Sequence, residues 1–223
     1  MADYALIPQN ALRGWGQMLP MYFKPELRVE NHAMSGRSTK SFIHEGRWKA
    51  VIARVKAGDF MIIQFGHNDE KIDKAGTGVD AHGEFTQNLT DFIKELREHG
   101  ATPILATSVA RRVFSPAGEL QDTHQDYVKV VRQLAADQKV PLLDLEKRTF
   151  DLLKKLGPEK SRRLFMRFVA GEFPTIPDER KDDTHFNAYG ASMVCDLAVM
   201  EIKTAVPELA KLLKEGNVDP KNR

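Results

Sequence analysis

Three segments of the chain place apolar residues at intervals of three and four, which is the spacing of one face of an α-helix. They run from Glu84 to His99, from Tyr127 to Gln138 and from Tyr189 to Thr204. In the first, which Gly100 follows as a stop signal, the repeating residues are Phe85, Leu89, Phe92, Ile93 and Leu96. The pattern predicts three amphipathic helices, each with one face turned toward an apolar core.

Four short apolar runs are predicted as β-strands, because they have the length of strands and lie between polar stretches. The runs are Arg28 to His32, Phe60 to Phe65, Pro103 to Thr107 and Val140 to Leu145. Strands that alternate with helices are typical of a parallel sheet covered by helices on both faces. We therefore predict an α/β fold, a doubly wound sandwich, in a single domain that spans residues 1–223.

The charge of the chain is nearly balanced, with 33 Lys and Arg against 31 Asp and Glu and a formal net charge of +2. Such a balance creates no field that favours nucleic acid or an anionic membrane. The basic segment from Lys154 to Arg167 also carries apolar residues, so we interpret it as a solvated helical face rather than an RNA site. No run approaches the roughly 18 apolar residues of a membrane span. We expect neither a nucleic-acid partner nor a membrane partner.

No metal and no cofactor is predicted from the sequence. The histidines show no pair at metal-ligand spacing with a carboxylate on the same face. Gly76-Thr77-Gly78 lacks the lysine and the following helix of a phosphate-binding loop. The single cysteine, Cys195, lies among apolar residues and is expected to be a buried thiol.

Polar residues collect just after the predicted strands, and in open α/β sheets ligands bind at that edge. The groups are Ser35-Gly36-Arg37-Ser38, Gly66-His67-Asn68-Asp69, the pair Arg111 and Arg112, and Asp182-Asp183-Thr184-His185. We place the last group at the opening of the final helix, where Asp182 or Asp183 could also be an N-cap. Taken singly, Gly36 and Gly66 fit ordinary turn glycines. The combination indicates a shared site.

These residue types together fit acyl transfer. An Asp three residues before a His can accept the imidazole Nδ1–H, which leaves Nε2 to act as a general base. That arrangement is predicted for Asp182 and His185. The side-chain amide of Asn68 and the backbone N–H of Gly36 can both donate to a developing oxyanion.

The same residues resemble the SGNH (GDSL-like) hydrolase superfamily, whose later blocks are a glycine after the second strand, Gly-x-Asn-Asp, and Asp-x-x-His. Four further sequence segments resemble the rhamnogalacturonan acetylesterase-like members. They are Gly14-Trp15-Gly16-Gln17, Asn31 to Thr39, Glu45-Gly46-Arg47-Trp48, and Thr184-His185-Phe186 running into Gly190-Ala191. The resemblance implies a three-layer α/β/α sandwich with a flavodoxin-like parallel sheet. It also implies a serine esterase that needs no cofactor and removes acetyl groups from a polysaccharide or oligosaccharide, with pectic rhamnogalacturonan the best candidate. A lipase or thioesterase of the same fold, and a catalytically inactive carbohydrate-binding homologue, remain alternatives.

By the same resemblance the nucleophile is the serine of a Gly-Asp-Ser block at the end of the first strand, and this sequence reads Met1-Ala2-Asp3. We expect the first strand and the serine to be missing from the chain, which leaves unpaired strand edges and lowers stability. Ser35 and Ser38 flank Gly36, but nothing near them indicates a strained turn that presents a nucleophile. Neither is expected to replace the family serine.

Arg111 and Arg112 are candidate substrate contacts. A pectic substrate carries galacturonate carboxylates, and the planar guanidinium group binds carboxylates through two hydrogen bonds. A structural ion pair is the alternative for both arginines, and the sequence leaves the choice open.

Overall fold

The computed structural model describes residues 1–173 and 175–216, and this part of the chain forms two compact units. The first, here called the sheet unit, consists of Gly36–Ser108 and His124–Glu146. The second, the hairpin unit, consists of Met1–Ser35, Val109–Thr123 and Lys147–Arg223.

The sheet unit is built on three parallel strands, β1 (Phe60–Ile63), β2 (Thr102–Ala106) and β3 (Leu142–Leu143), in the order β1-β2-β3. Ile62 pairs with Ile104 and Leu105 pairs with Leu142. Four of the five β2 residues are buried, as expected for a central parallel strand covered on both faces. Among the described residues β1 has a strand partner on one side only.

Four helices accompany this sheet, α1 (Thr39–His44), α2 (Arg47–Ile52), α3 (Thr86–Glu98) and α4 (Gln125–Asp137). A π-helical turn, Ala81–Phe85, leads into α3. The buried face of α3 consists of Leu89, Phe92, Ile93 and Leu96. Trp48 of α2 stacks on Phe92 with ring centroids 3.8 Å apart, so the two helices share one apolar core.

The hairpin unit contains an antiparallel pair, β4 (Phe165–Phe168) and β5 (Arg180–Phe186). Its helices are α5 (Leu145–Lys160, whose first two residues belong to the sheet unit), α6 (Ala188–Ala205) and α7 (Pro207–Ala210), with 3-10 helices at Trp15–Gln17, Leu19–Met21 and Ser161–Leu164. Asn187 caps α6 by accepting a hydrogen bond from the N–H of Gly190. The buried face of α6 packs inside this unit and consists of Ala191, Val194, Cys195, Ala198, Val199 and Ile202.

Most of the predicted elements are confirmed. The fold is α/β with a parallel sheet, the three predicted helices are α3, α4 and α6, and three of the four predicted strands are β1, β2 and β3 in shortened form. Cys195 is buried, as expected. No helix in the described ranges is both long and apolar enough to cross a membrane. That one domain spans residues 1–223 stays a prediction.

Three expectations are wrong. Arg28 to His32 is not a strand; Val29 is its one apolar residue, so the segment has no continuous face to bury. The segment Lys154 to Arg167 is not one helical face, because α5 is kinked at Gly157 and the chain then forms a 3-10 helix and β4. Asp182 and His185 lie within strand β5 and do not open the final helix. The N-cap of that helix, α6, is Asn187.

Candidate active site

The hairpin unit joins Asp182 and His185 as the sequence predicts. The Nδ1 of His185 lies 2.7 Å from Oδ2 of Asp182. The second carboxylate oxygen accepts the backbone N–H groups of Thr184 at 2.9 Å and His185 at 3.0 Å. Because Nδ1 faces a carboxylate, the neutral tautomer that fits this contact has its proton on Nδ1 and leaves Nε2 as an acceptor that faces away from Asp182. Nε2 has no hydrogen-bond partner in the described ranges, and the His185 side chain is 45% exposed.

The Asp182 carboxylate is held in its charged form. Burial acts to raise the pKa of Asp182, but the hydrogen bonds from the His185 ring and from two backbone N–H groups outweigh it and bring the pKa to about 2. The carboxylate is therefore ionised at neutral pH and can stabilise an imidazolium on His185.

Two arginines hold the neighbouring residue, Asp183. Arg112 Nη1 lies 2.6 Å from Oδ1 of Asp183, and Arg167 Nη1 lies 3.0 Å from Oδ2. The Arg112 guanidinium also donates to Ser161 Oγ at 3.0 Å and to the carbonyl of Pro158, and its side chain is 7% exposed. These contacts fit the structural ion pair that the sequence leaves open for Arg112. We interpret Arg112 as a structural residue that fixes β5 through Asp183, and a substrate contact of Arg111 stays a prediction.

Arg112→Ala is expected to lower the free energy of unfolding by on the order of 3 kcal/mol, because it leaves the Asp183 carboxylate without its buried partner. Urea unfolding followed by circular dichroism measures the loss. The matched control is Arg162→Ala, since Arg162 is exposed and pairs with exposed Glu159; there the loss should be about 0–1 kcal/mol. Equal losses in the two variants would contradict a structural role for Arg112.

The sheet unit brings together the other two predicted residues, Gly36 and Asn68. Gly36 has a φ of 78°, a conformation that favours glycine, and in the described part of the chain its N–H has no hydrogen-bond partner. The Asn68 Nδ2 donates to the carbonyl oxygen of Arg37, the residue after Gly36, at 3.2 Å. Lys71 donates to Asn68 Oδ1 at 2.8 Å. These two partners fix which end of the amide is the donor, and the second Nδ2 hydrogen can serve an oxyanion.

Asp69 anchors the turn that carries Asn68, a role that the sequence analysis did not assign. Its Oδ1 accepts both the N–H and the hydroxyl of Thr39 at 2.7 Å, and its Oδ2 accepts the N–H of Gly66 at 3.0 Å. Gly66 has a φ of 134°, and a Cβ there would collide with Ser108 Oγ. The turn therefore requires glycine at one end and a buried acceptor at the other. The sequence feature that could have indicated this role is the position of Asp69 at the end of the Gly-x-Asn-Asp block.

Burial raises the pKa of Asp69 to about 6, because the hydrogen bonds from Thr39 and Gly66 only partly offset the desolvation. The pKa of an unfolded Asp is about 3.9. Between these values the folded protein binds more protons than the unfolded chain, so this group stabilises most below pH 4. Its contribution to the free energy of unfolding falls as the pH rises through 6.

Asp69→Asn is expected to destabilise the protein by about 1–3 kcal/mol, because the new amide cannot satisfy both Thr39 and the Gly66 N–H. The difference from the parent should be larger at pH 4.5 than at pH 7, since the pH-dependent contribution of Asp69 is lost. Urea unfolding at both pH values measures it. In Asp126→Asn the trend should reverse, because the hydrogen bond from Lys129 lowers the pKa of exposed Asp126. A pH-independent difference for Asp69→Asn would contradict the raised pKa.

The other sequence candidates divide between the units. Ser38 is fully buried and caps α1, with its Oγ accepting from the N–H of Ser41, so it is not placed as a nucleophile. Ser35 lies in the hairpin unit, with its Oγ 3.4 Å from the hydroxyl of Tyr4. Within the described ranges no three His, Cys, Asp or Glu side chains are grouped so as to hold a metal ion.

Comparison with known proteins decides the family. The model of the GDSL-like lipase/acylhydrolase family matches residues 3–192. This chain belongs to that family. Among curated relatives of this GDSL-like chain, the rhamnogalacturonan acetylesterase RhgT of Bacillus subtilis (strain 168) is 39% identical over 204 residues, which cover 92% of this chain and 84% of RhgT. The probable rhamnogalacturonan acetylesterase YesY of the same organism is 32% identical and covers 91% of this chain and 89% of YesY.

Solved structures agree with the GDSL-like assignment. The crystal structure of YxiM from Bacillus subtilis superposes with a TM-score of 0.75 at 27% identity, over 91% of this chain and 53% of that protein. The chain thus spans about half the length of YxiM. The acetylxylan esterase Axe2 of Geobacillus stearothermophilus, at 21% identity and a TM-score of 0.60, shares the fold over 85% of this chain and 81% of Axe2. The family is one of carboxylic ester hydrolases, as the sequence predicts.

Proposed function

We propose that this GDSL-like chain is the hydrolase domain of a carbohydrate acetylesterase that acts on acetylated rhamnogalacturonan. The observation that carries the proposal is the pairing of His185 with Asp182, which leaves Nε2 available as a general base. The names of RhgT and YesY, together with their identity to this chain, support rhamnogalacturonan as the substrate class.

In the proposed mechanism His185 Nε2 takes the proton of a serine hydroxyl as that oxygen attacks the acetyl carbonyl. Asp182 holds the imidazole in the required tautomer and stabilises the imidazolium that forms. His185 then returns the proton to the sugar oxygen that leaves. A water molecule, deprotonated by the same Nε2, releases acetate in the second half of the reaction.

Gly36 and Asn68 are proposed to bind the oxyanion of both tetrahedral intermediates. The support is that the Gly36 N–H and one Nδ2 hydrogen of Asn68 are not used by other hydrogen bonds of the described residues. The Lys71 ammonium on Oδ1 also polarises the amide, which makes its N–H a stronger donor to a negative oxygen.

The nucleophilic serine is proposed to lie outside the 223 residues, since no Gly-Asp-Ser occurs among them. Catalytic experiments therefore use a version extended by the family block and its strand ahead of Met1, here called the extended enzyme. The 223-residue chain is its control and should release no acetate above the background of the buffer.

Acetate release from acetylated rhamnogalacturonan, acetylated xylan and a long-chain acyl ester tests the substrate class. We expect the extended enzyme to have its highest kcat/KM on acetylated rhamnogalacturonan and negligible turnover of the long-chain ester. Preference for acetylated xylan would retain the carbohydrate acetylesterase and overturn the rhamnogalacturonan assignment. Preference for the long-chain ester would overturn both.

A further inference from the structure

An exposed arginine lies on an aromatic ring in the hairpin unit, apart from the residues assigned so far. The guanidinium carbon of Arg163 lies 5.1 Å from the centroid of the Tyr189 ring. Tyr189 is 43% exposed, and Arg163 is exposed as well. Stacking on an aromatic face restricts the guanidinium plane while leaving its edge of N–H donors available.

The backbone ties this pair to the strand that carries the general base. Asn187, two residues after His185, donates its side-chain amide to the carbonyl of Arg163 at 2.9 Å. The same side chain caps α6, the helix on which Tyr189 is the second residue. Arg163 also precedes by two residues the β4 residue that pairs with Phe186. Arg163 and Tyr189 are therefore fixed to the same structural frame as His185.

Unlike three neighbouring arginines of this unit, Arg163 has no acidic partner in the described part of the chain. Arg112 and Arg167 are paired with Asp183, and Arg162 is paired with Glu159. In the described part of the chain the Arg163 side chain makes no hydrogen bond and no ion pair, and its guanidinium lies over the Tyr189 ring. A guanidinium held in one plane with its donors unused is suited to bind a planar anion through two parallel hydrogen bonds.

We propose that Arg163 and Tyr189 form a subsite for a uronate residue of the substrate, with Arg163 binding the carboxylate and Tyr189 supporting the guanidinium. The proposal rests on the proposed function, which supplies an acidic polysaccharide as the ligand. It assigns to Arg163 the carboxylate recognition that the sequence suggested for Arg112. Specificity for the acidic polymer then depends on a guanidinium at a fixed position rather than on net charge.

Binding of de-acetylated rhamnogalacturonan oligosaccharide to the 223-residue chain tests the subsite without catalysis. Isothermal titration calorimetry compares it with the same oligosaccharide whose carboxylates are reduced to alcohols. We expect the reduced ligand to bind the parent about 10-fold more weakly, and Arg163→Ala to lose about 10-fold affinity for the native ligand only. Arg163→Lys, which keeps the charge but loses the planar fork, should restore only part of the affinity.

The matched control is Arg162→Ala, which removes the same charge from the next residue and should bind both ligands as the parent does. Tyr189→Leu should weaken the native ligand and leave the reduced ligand unaffected. Equal losses in Arg162→Ala and Arg163→Ala would overturn the subsite, as would a parent that does not distinguish the two ligands or binds neither. The proposed function fails separately, when the extended enzyme releases no acetate from any acetylated carbohydrate.

Discussion

His185→Ala in the extended enzyme is expected to lower kcat for acetyl-ester hydrolysis by several orders of magnitude. The substitution removes the proposed general base, and losses of general-base residues in serine hydrolases reach about 10⁴–10⁶-fold. Asp182→Asn should also be severe, because an amide in place of Oδ2 favours the wrong imidazole tautomer. Hydrolysis of p-nitrophenyl acetate, followed by absorbance, measures both variants.

An exposed histidine elsewhere provides the matched control for this prediction. His82 pairs with Asp126 at 3.8 Å in the sheet unit, with both side chains largely exposed. His82→Ala should retain the parental kcat and KM, since this His–Asp pair has no proposed role. Near-parental activity in His185→Ala or Asp182→Asn would contradict the assignment of the pair as the general base and its orienting residue.

Asn68→Ala is expected to lower kcat by about 10²-fold or more with little change in KM, because the amide is proposed to stabilise a charge that develops only in the transition state. The variant also loses the hydrogen bond from Nδ2 to Arg37, so some loss of stability accompanies it. Steady-state kinetics on p-nitrophenyl acetate, with urea unfolding on the same samples, separates the two effects.

Asn88→Ala is the control for the structural part of that effect. Asn88 donates its side-chain amide to Thr39 Oγ1 at 3.0 Å, also in the sheet unit. Its variant should lose comparable stability and keep most of its kcat. A loss in Asn68→Ala that falls mainly on KM, or one that Asn88→Ala reproduces, would argue against the oxyanion role.

The elements that sequence periodicity specifies well are those with a continuous apolar face. Helix α3 follows its predicted range within two residues at its N-terminus, because four of its residues at helical spacing are fully buried. The sequence predicts strand β2 from the apolar run Pro103 to Ala106, which suits a central parallel strand. In both cases the apolar residues that become buried lie close together in the sequence.

The β4–β5 hairpin could not be predicted in the same way. Strand β5 includes Lys181, Asp182 and Asp183, residue types with low strand propensity, and is stabilised by its pairing with β4. This stabilisation depends on residues distant in sequence, so local patterning favoured the start of a helix instead. The spacing of Asp182 and His185 nonetheless predicted their hydrogen bond. Residues three apart in a regular strand point to opposite faces. Here the Asp182 carboxylate accepts the backbone N–H groups of Thr184 and His185, and this local turn brings the ring to the carboxylate.

Side-chain interactions between residues distant in sequence could not be predicted either. Arg112 and Asp183 are 71 positions apart, and their ion pair fits the structural alternative that the sequence left open for Arg112. Arg163 and Tyr189 belong to different elements, so local sequence patterns do not predict their contact. Residue type identified arginine as the suitable group for a uronate, but the structure was needed to distinguish a paired arginine from an unpaired one.

Fluorophosphonate labelling tests most directly the central claim, that His185 acts as the general base for a serine of the family block. The reagent reacts with an activated serine, and mass spectrometry locates the adduct. The extended enzyme is expected to be labelled stoichiometrically at the Gly-Asp-Ser serine, at a rate that falls by orders of magnitude in His185→Ala, while the 223-residue chain remains unlabelled. Equal labelling rates in the parent and His185→Ala, or an adduct at Ser35 of the 223-residue chain, would contradict the account.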